Sequence, residues 1–413
     1  IRTFEEDEFV FESGPNTGVV SYPEVAELFS ALLPGCELET ADENAARRLI
    51  WKNGRFRELP SGIIGGITTS LFTFPDKFRI LGEPFRRKGT DPDESVGALA
   101  LRRLGGKSFV DYAVDPFLSG VYSGDPTTLI TRYALPKLYN LEQTYGGFIK
   151  GTFAKMREPK TERDRLATKK VFSARGGLSR LTFALANAIG NEHIVLSAKE
   201  IQIQPVADRW EVTCTSPAGE EKLQTTKVVT TVGGYALPDL LPFIEKDVMN
   251  KISDLRYAPM VQASVGIKNT GGLRFNAFGG LVPSVEKQDV LGILFPSACF
   301  QGRAPQAGAL FSFFIGGIRS VPLTQLSDEK LKALIVKDFH SMLKFPSSVS
   351  PDLIRIFRHP KAIPQYELST GDRLKAIETI QNRYPGLILA GNIRNGIGMA
   401  DRILQATNIS KEI

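Results

Sequence analysis

The stretch LILAGNIRNGIGMADRI, residues 387–403, constrains the fold more than any other part of the chain. Leu-Ile-Leu reads as a short buried strand ending at Gly391. Gly396 and Gly398 let the backbone approach a ligand closely, and the residues beyond read as a helix. That helix aims its N-terminus, with free N–H groups and partial positive charge, at whatever the loop holds. Strand, glycine loop and helix in this order are how α/β proteins hold phosphates or electron-rich rings. The same residues also suit a structural tight turn, and both readings stay open on this stretch alone.

Two further glycine turns stand at strand ends, GPNTG at 14–18 and RGGL at 175–178. Tight turns from distant segments converging on one ligand are the architecture of a two-dinucleotide-fold flavoprotein. The first βαβ unit of such a fold normally carries G-x-G-x-x-G, and that motif does not occur in this sequence. GIIGG at 62–66 is a poor match, because no buried strand runs into it.

Other chemistries find little support. The three Cys, at 36, 214 and 299, form no C-x-x-C pair, which disfavours a zinc ribbon or a disulfide scaffold. The three His, at 193, 340 and 359, form no H-E-x-x-H, and no G-x-S-x-G is present. An enzyme built this way leaves the hard chemistry to a cofactor, and no metal site is expected. No apolar run approaches the roughly 20 residues that span a bilayer. The net charge of +6 suits an anionic partner, and many soluble enzymes carry as much.

A chain of 413 residues fits two or three domains. IRTFEEDEFVFESGP reads as a hairpin ending in a turn. RRLIWKNGRFRELP (47–60) reads as a second hairpin around Asn53-Gly54. Residues 61–158 have helical spacing broken by Pro and Gly, and 158–170 reads as a solvated linker or hairpin tip. VFSARGGLSRLTFALANAIG reads as a strand, a turn at Gly176-Gly177, and an amphipathic helix with Leu178, Leu181, Leu185 and Ile189 on one face. Strands follow, with a turn at Ala207-Asp208. MVQASVGIK, DVLGILFPS and ALFSFFIGG are further strands, and Ser327 caps a charged helix.

FVDYAVDPFLSGVYSGDPTTL, FSARGGLSRL, FGGLVPSVEKQDVLGILFPSACFQGRAP, AIPQYE and LILAGNIRNGIGMADRI together resemble the oxygen-dependent protoporphyrinogen oxidase family. That family is similar in fold to monoamine oxidases and phytoene desaturases. The resemblance runs the length of the chain in the family's order. It implies a mixed α/β protein of three parts. Residues 1–40 with 163–240 and 382–413 form a discontinuous FAD-binding domain. Residues 41–60 with 241–381 form a β-rich substrate domain, and 61–162 form a helical, membrane-associating subdomain. In the family, the segment matching IRTFEEDEF follows the first βαβ unit. The chain is therefore expected to be a fragment lacking such a unit, about 30 residues or more. An exposed sheet edge and weak FAD retention would follow.

The resemblance also implies roles for single residues. The turn Gly14-Pro15-Asn16-Thr17 lies against the flavin end of FAD. Ile201 meets the adenine portion through its backbone, and Gly396-Ile397-Gly398 meets the flavin at a helix N-terminus. His359 (or Arg358, by a one-residue slip) stands where family members often carry a Trp that sits against the flavin. Leu281, Leu294 and Phe314 match the apolar walls that sandwich a pyrrole ring. Arg48 matches an arginine facing a substrate propionate, with Arg47 one register away, and Gly120 matches a glycine against which the macrocycle lies. No acid–base residue is implied.

The implied activity is oxidation of protoporphyrinogen IX to protoporphyrin IX in heme biosynthesis, with O₂ as acceptor and H₂O₂ as product. The alternatives are a coproporphyrinogen III oxidase, which would want more cationic groups around its pocket, a flavin amine oxidase, and a non-catalytic tetrapyrrole carrier. The implied setting is the cytoplasmic face of the cell membrane, as a peripheral protein and a monomer or homodimer, with no nucleic-acid partner. GGITTSLFTFPDKF offers Ile67, Leu71, Phe72, Phe74 and Phe78 as an interfacial segment.

Overall fold

The computed structural model describes residues 1–60, 65, 66 and 68–413. Its largest element is a seven-stranded sheet. The strands run in the order Leu353–Pro364, Tyr257–Ile267, Ala309–Gly316, Val290–Leu294, Gly279–Leu281, Arg48–Lys52 and Arg55–Glu58. Neighbours are antiparallel except Gly279–Leu281 with Arg48–Lys52, which are parallel.

Side chains alternate across a strand, so this sheet has two distinct faces. One face carries Trp51, Val261, Ala263, Val265, Ile293, Phe311, Phe313 and Ile315. These pack against Leu331, Ile335, Phe339 and Met342 of the helix Asp328–Leu343. Each such side chain, fully withdrawn from water, contributes about 1.5–3 kcal/mol, so this face is the main core. Ser327 Oγ caps the helix by accepting from the Lys330 N–H at 3.4 Å.

The opposite face holds the candidate site. The hairpin Thr3–Glu6/Phe9–Glu12 covers one end of it, packing Phe9 and Phe11 against Leu310 and Leu353. Asp7 and Glu8 take positive φ of 50° and 70° at its tip. The Asn53-Gly54 hairpin forms as expected, with φ of 52° and 75°, the conformation that suits a two-residue connection.

The glycine turns also form. Val171–Ala174 leads through Gly176 and Gly177 into the helix Ser179–Ile189. Its apolar face ends sooner than the spacing suggests: Leu178 and Leu181 are buried, but Ile189 is 56% exposed. Leu387–Leu389 pairs in parallel with Val228–Thr230, and the helix Met399–Ser410 follows the loop. The turn at Ala207-Asp208 joins Lys199–Val206 to Arg209–Ser216. The segment read as a linker holds a short helix, Glu162–Arg165, whose Thr161–Asp164 capping box closes it.

The helical subdomain contains Phe74–Arg79, Val96–Leu104, Asp115–Val121, Pro136–Tyr145 and Phe148–Arg157. Two expectations about its interfacial segment need correction. Leu71 is fully buried, and Phe72 packs on Phe109 at 4.4 Å between ring centroids; both serve the subdomain's interior. Ile67 and residues 62–64 of GIIGG lie outside the described residues. Among the described residues, no helix is long and apolar enough to cross a membrane.

Candidate active site on the open face of the antiparallel sheet

The register places the expected substrate residues on one face, in two adjacent rows. The first row runs Arg48, Gly279, Leu294, Ser312, Ser264 and Arg355 across six strands. The second runs Arg57, Ile50, Leu281, Gly292, Phe314, Gln262 and Phe357. Leu281, Leu294 and Phe314 are each half-buried, while Ile293, Phe313 and Ile315 beside them point into the core. These two rows contain no carboxylate and no imidazole; Arg355 is paired with Glu6, and His359, opposite Met260 in the next row, is the titratable ring on this face.

Arg47 and Arg48 are distinguished by their contacts. The Arg47 guanidinium donates twice to the Asn276 carbonyl, at 3.0 and 2.7 Å. Arg48 is exposed and, among the described residues, has no hydrogen-bond or ion-pair partner for its side chain.

A short helix, Asp115–Val121, forms the roof. A Cβ on Gly120 would lie 2.4 Å from Leu281 Cδ2, so roof and floor touch there because position 120 lacks a side chain. Asp115, at the start of this helix, docks it: its carboxylate accepts from the Ser284 N–H at 2.7 Å and from Arg319 at 2.5 Å.

The Gly14–Thr17 turn closes one end. Buried Asn16 accepts from the Ser312 hydroxyl at 2.8 Å and donates to the Gly14 carbonyl at 2.9 Å. Gln262, on the floor, donates to the Glu12 carbonyl at 2.7 Å. The Glu12 carboxylate is itself buried, accepting from Arg303, the Leu178 N–H and the Thr3 hydroxyl. The turn is thus tied to the sheet below and to the RGGL turn behind. A Cβ on Gly14 would meet nothing within 4 Å, so its outer side is open. His359 Nε2 lies 2.6 Å from the Ser13 carbonyl oxygen, which brings His359 to the same turn. Arg358 instead pairs with Asp328. A cavity of about 390 Å³ opens beside His359, lined also by Arg256, Tyr257 and Met260. A larger cavity, about 460 Å³, lies between residues 38–42 and 297–308 and touches none of the expected site residues.

The C-terminal loop reaches the roof through Ile397, which packs with Leu118, Tyr122 and Tyr366. Gly391 and Gly396 have φ of 88° and 93°, a region glycine enters without steric cost. The Tyr366 hydroxyl accepts from the Gly396 N–H and donates to its carbonyl, both at 3.1 Å. Arg402 gathers the carbonyls of Arg394, Asn395 and Gly396 at 2.8–3.0 Å, and also that of Gly391. At the helix N-terminus the Asp401 carboxylate accepts from the Gly398 N–H at 3.0 Å and from Tyr22 at 3.2 Å. Burial, then this carboxylate, push the Tyr22 phenol up to about 12. Ile201 stands apart: it is 40% exposed on the three-stranded meander, where the pairing skips from Lys199 to Gln202. Ser312, Gln262, Tyr366 and Arg402, which hold the turn and the loop, were not singled out from sequence. Tyr366 lay in the AIPQYE motif and Arg402 in the C-terminal glycine-loop motif, and either could have been picked out there.

Shaped glycine turns, an apolar floor and a helix N-terminus beside them are an arrangement suited to a bound cofactor and a flat substrate. The chain matches the family described as flavin-containing amine oxidoreductases over residues 1–412. It is 29% identical to a chloroplastic protoporphyrinogen oxidase of Nicotiana tabacum, covering 100% of this chain and 78% of that protein. It is 30% identical to the chloroplastic protoporphyrinogen oxidase 1 of Arabidopsis thaliana, covering 97% and 77%. In fold it is similar to a provisionally named protoporphyrinogen oxidase from Exiguobacterium sp. 255-15 (TM-score 0.80, 21% identity, 100% and 89% covered). A reduced UDP-galactopyranose mutase also matches (TM-score 0.70, 15% identity, 100% and 87% covered). These two show the fold alone. The chain belongs to the flavin-containing amine oxidoreductases, with protoporphyrinogen oxidases among its relatives. It is a flavin-dependent oxidoreductase, and the residues present are compatible with such a group: Gly14 leaves open space beside its turn, and the Gly396 loop is held at a positive φ.

Proposed function

We propose that the protein oxidises protoporphyrinogen IX to protoporphyrin IX with bound FAD, O₂ serving as final acceptor and H₂O₂ as by-product. The observation that carries this reading is the shared face of Arg48, Leu281, Leu294 and Phe314 under Gly120. Bound FAD supplies the two-electron oxidant. The chain's own residues bind, orient and exclude water. Leu281, Leu294 and Phe314 offer flat apolar contact to a pyrrole ring. Gly120 lets the macrocycle approach the roof helix, and Arg48 pairs with a propionate. The Gly14–Thr17 turn, His359 and Gly396–Gly398 face the flavin ring, and the Ile201 backbone faces the adenine portion. A substrate already activated by its pyrrole nitrogens needs no strong base, in keeping with two rows that hold none.

The test is to add protoporphyrinogen to the FAD-loaded protein and follow porphyrin fluorescence with O₂ uptake. Enzyme-dependent gain of both supports the reading; no gain above the spontaneous rate contradicts it. One observation favours coproporphyrinogen as a second reading: Arg57 shares the face with Arg48, giving cationic capacity for a substrate with more carboxylates. Comparing kcat/KM for the two porphyrinogens separates them.

The same proposal includes peripheral attachment to the inner face of the cell membrane. Phe74, Phe78, Leu81 and Phe85 are 57–88% exposed at helical spacing, beside Arg79, Arg86, Arg87 and Lys88. Co-sedimentation with anionic vesicles that is lost in Phe74→Ser/Phe78→Ser is the expected outcome. Unchanged sedimentation removes this part.

A further inference from the structure

The Asn53-Gly54 hairpin carries four cations on the site face, Arg48, Lys52, Arg55 and Arg57, with Arg55 at the exposed tip directly opposite Lys52. Arg57 stands directly opposite Ile50, so Arg48 and Lys52 are its two diagonal neighbours, each about 7–8 Å away between Cα atoms. Like charges so placed repel, and a fold normally supplies carboxylates to offset them. It does so nearby, where buried Arg103 pairs with Glu83, and Arg102 with Glu94 and Glu142. On the hairpin, Glu286 and Asp111 act on Lys52 without pairing with it, and among the described residues no carboxylate pairs with Arg48, Arg55 or Arg57.

Arg48 has no partner among the described residues. Among the described residues the Arg57 guanidinium donates to the Ser70 hydroxyl and, at 3.5 Å, to the Lys52 carbonyl. Lys52 is held by the Ser70 and Leu71 carbonyls, at 3.2 and 2.6 Å, and lies 3.9 Å from the centre of the Tyr112 ring. The nearest acids are engaged elsewhere. Glu286 accepts from the Asn53 N–H and the Tyr112 hydroxyl, both at 2.9 Å, and Asp111 accepts from Lys107. Burial, then Arg57, push the Lys52 ammonium below its ordinary range, with Glu286 and Asp111 opposing the shift, so Arg57 and Lys52 act on one another.

The geometry points to Arg57 as a second carboxylate-binding residue, which together with Arg48 takes two carboxylate groups of one substrate along the hairpin. This rests on the porphyrinogen reading of the site and deepens it. Two propionates on neighbouring pyrroles fit two guanidinium groups set on diagonal positions. The arrangement makes carboxylate number a determinant of specificity: removing one acid leaves a guanidinium on the sheet uncompensated. Lys52, fixed by backbone carbonyls, adds positive potential without contacting the ligand.

The competing role for Arg57 is structural, since its bond to Ser70 ties the hairpin to the helical subdomain. The experiment titrates the FAD-loaded protein with protoporphyrin and with its dimethyl ester, following quenching of porphyrin fluorescence. Arg57→Gln is expected to weaken the diacid about tenfold or more and leave the ester unchanged. Ser70→Ala, which removes only the structural bond, is expected to retain diacid binding, and Arg57→Lys to retain part of it. Equal weakening of acid and ester by Arg57→Gln, or no weakening of either, overturns the inference. If Arg48→Gln loosens the diacid while Arg57→Gln does not, the porphyrinogen reading stands and only the role of Arg57 falls. If the wild type binds neither porphyrin, the reading of the site fails and the inference falls with it.

Discussion

Alanine at position 120 is the sharpest perturbation of the roof. The new methyl carbon would sit 2.4 Å from Leu281 Cδ2, against the 3.5–4.0 Å at which carbon atoms pack. Something must therefore yield by more than 1 Å. The Leu281 side chain is half-buried and ends in a movable methyl, so it gives way first, turning across the floor. Two effects on stability oppose each other. Alanine improves the helix by up to about 1 kcal/mol, while crowding costs about 1–3 kcal/mol. The fold should lose no more than about 3 kcal/mol, but the surface offered to a flat macrocycle is displaced. Gly120→Ala is expected to raise KM for the porphyrinogen about tenfold and to lower kcat less. Steady-state porphyrin fluorescence alongside thermal unfolding separates binding from folding. Adding Leu281→Ala should recover much of the loss, because it restores room at the contact. Unchanged KM in Gly120→Ala, or a loss of binding that only parallels a loss of stability, would refute the placement of the roof.

Arg48→Ala should raise KM more than it lowers kcat, and an unchanged KM removes Arg48 from carboxylate recognition. Tyr366→Phe loses the hydroxyl that both accepts from and donates to Gly396, costing about 1–3 kcal/mol; flavin released on dialysis should increase, and undiminished retention counts against the loop. Asp338 is fully buried, and burial pushes its carboxyl up to about 6, with Lys337 opposing the shift. A folded-state value above the unfolded one means that the folded protein binds the extra proton between about pH 4 and 6. Stability from this group is present below that window and falls as pH rises through it. Asp338→Asn should therefore stabilise the protein above pH 6 by on the order of 2 kcal/mol and have no such effect near pH 4. Chemical denaturation at the two pH values checks this, and an equal effect at both contradicts it.

The second hairpin was legible because Asn53 and Gly54 are residues that tolerate positive φ. The glycine turns were legible for the same reason. The faces of the large sheet were not. ALFSFFIGG is apolar on both sides, because Phe311 and Phe313 enter the core while Phe314 lines the site. Only pairing register separates them, and pairing joins segments as distant as Arg48–Lys52 and Gly279–Leu281. Ser312, a single serine among aromatics, therefore gave no sign that it holds the Gly14 turn through Asn16. Leu71 and Ile189 were assigned the wrong surroundings for a related reason: periodicity defines an apolar stripe, but not how far the neighbouring element covers it. The buried Glu12–Arg303 pair joins residues with no local pattern between them.

The central claim is that this site passes electrons from a porphyrinogen to bound flavin. Rapid anaerobic mixing of the FAD-loaded protein with protoporphyrinogen tests it most directly. Oxidised-flavin absorbance is expected to disappear as porphyrin fluorescence rises, and Arg48→Ala to slow both at low substrate while saturation restores them. Flavin that stays oxidised with porphyrinogen but bleaches with a primary amine would contradict the claim.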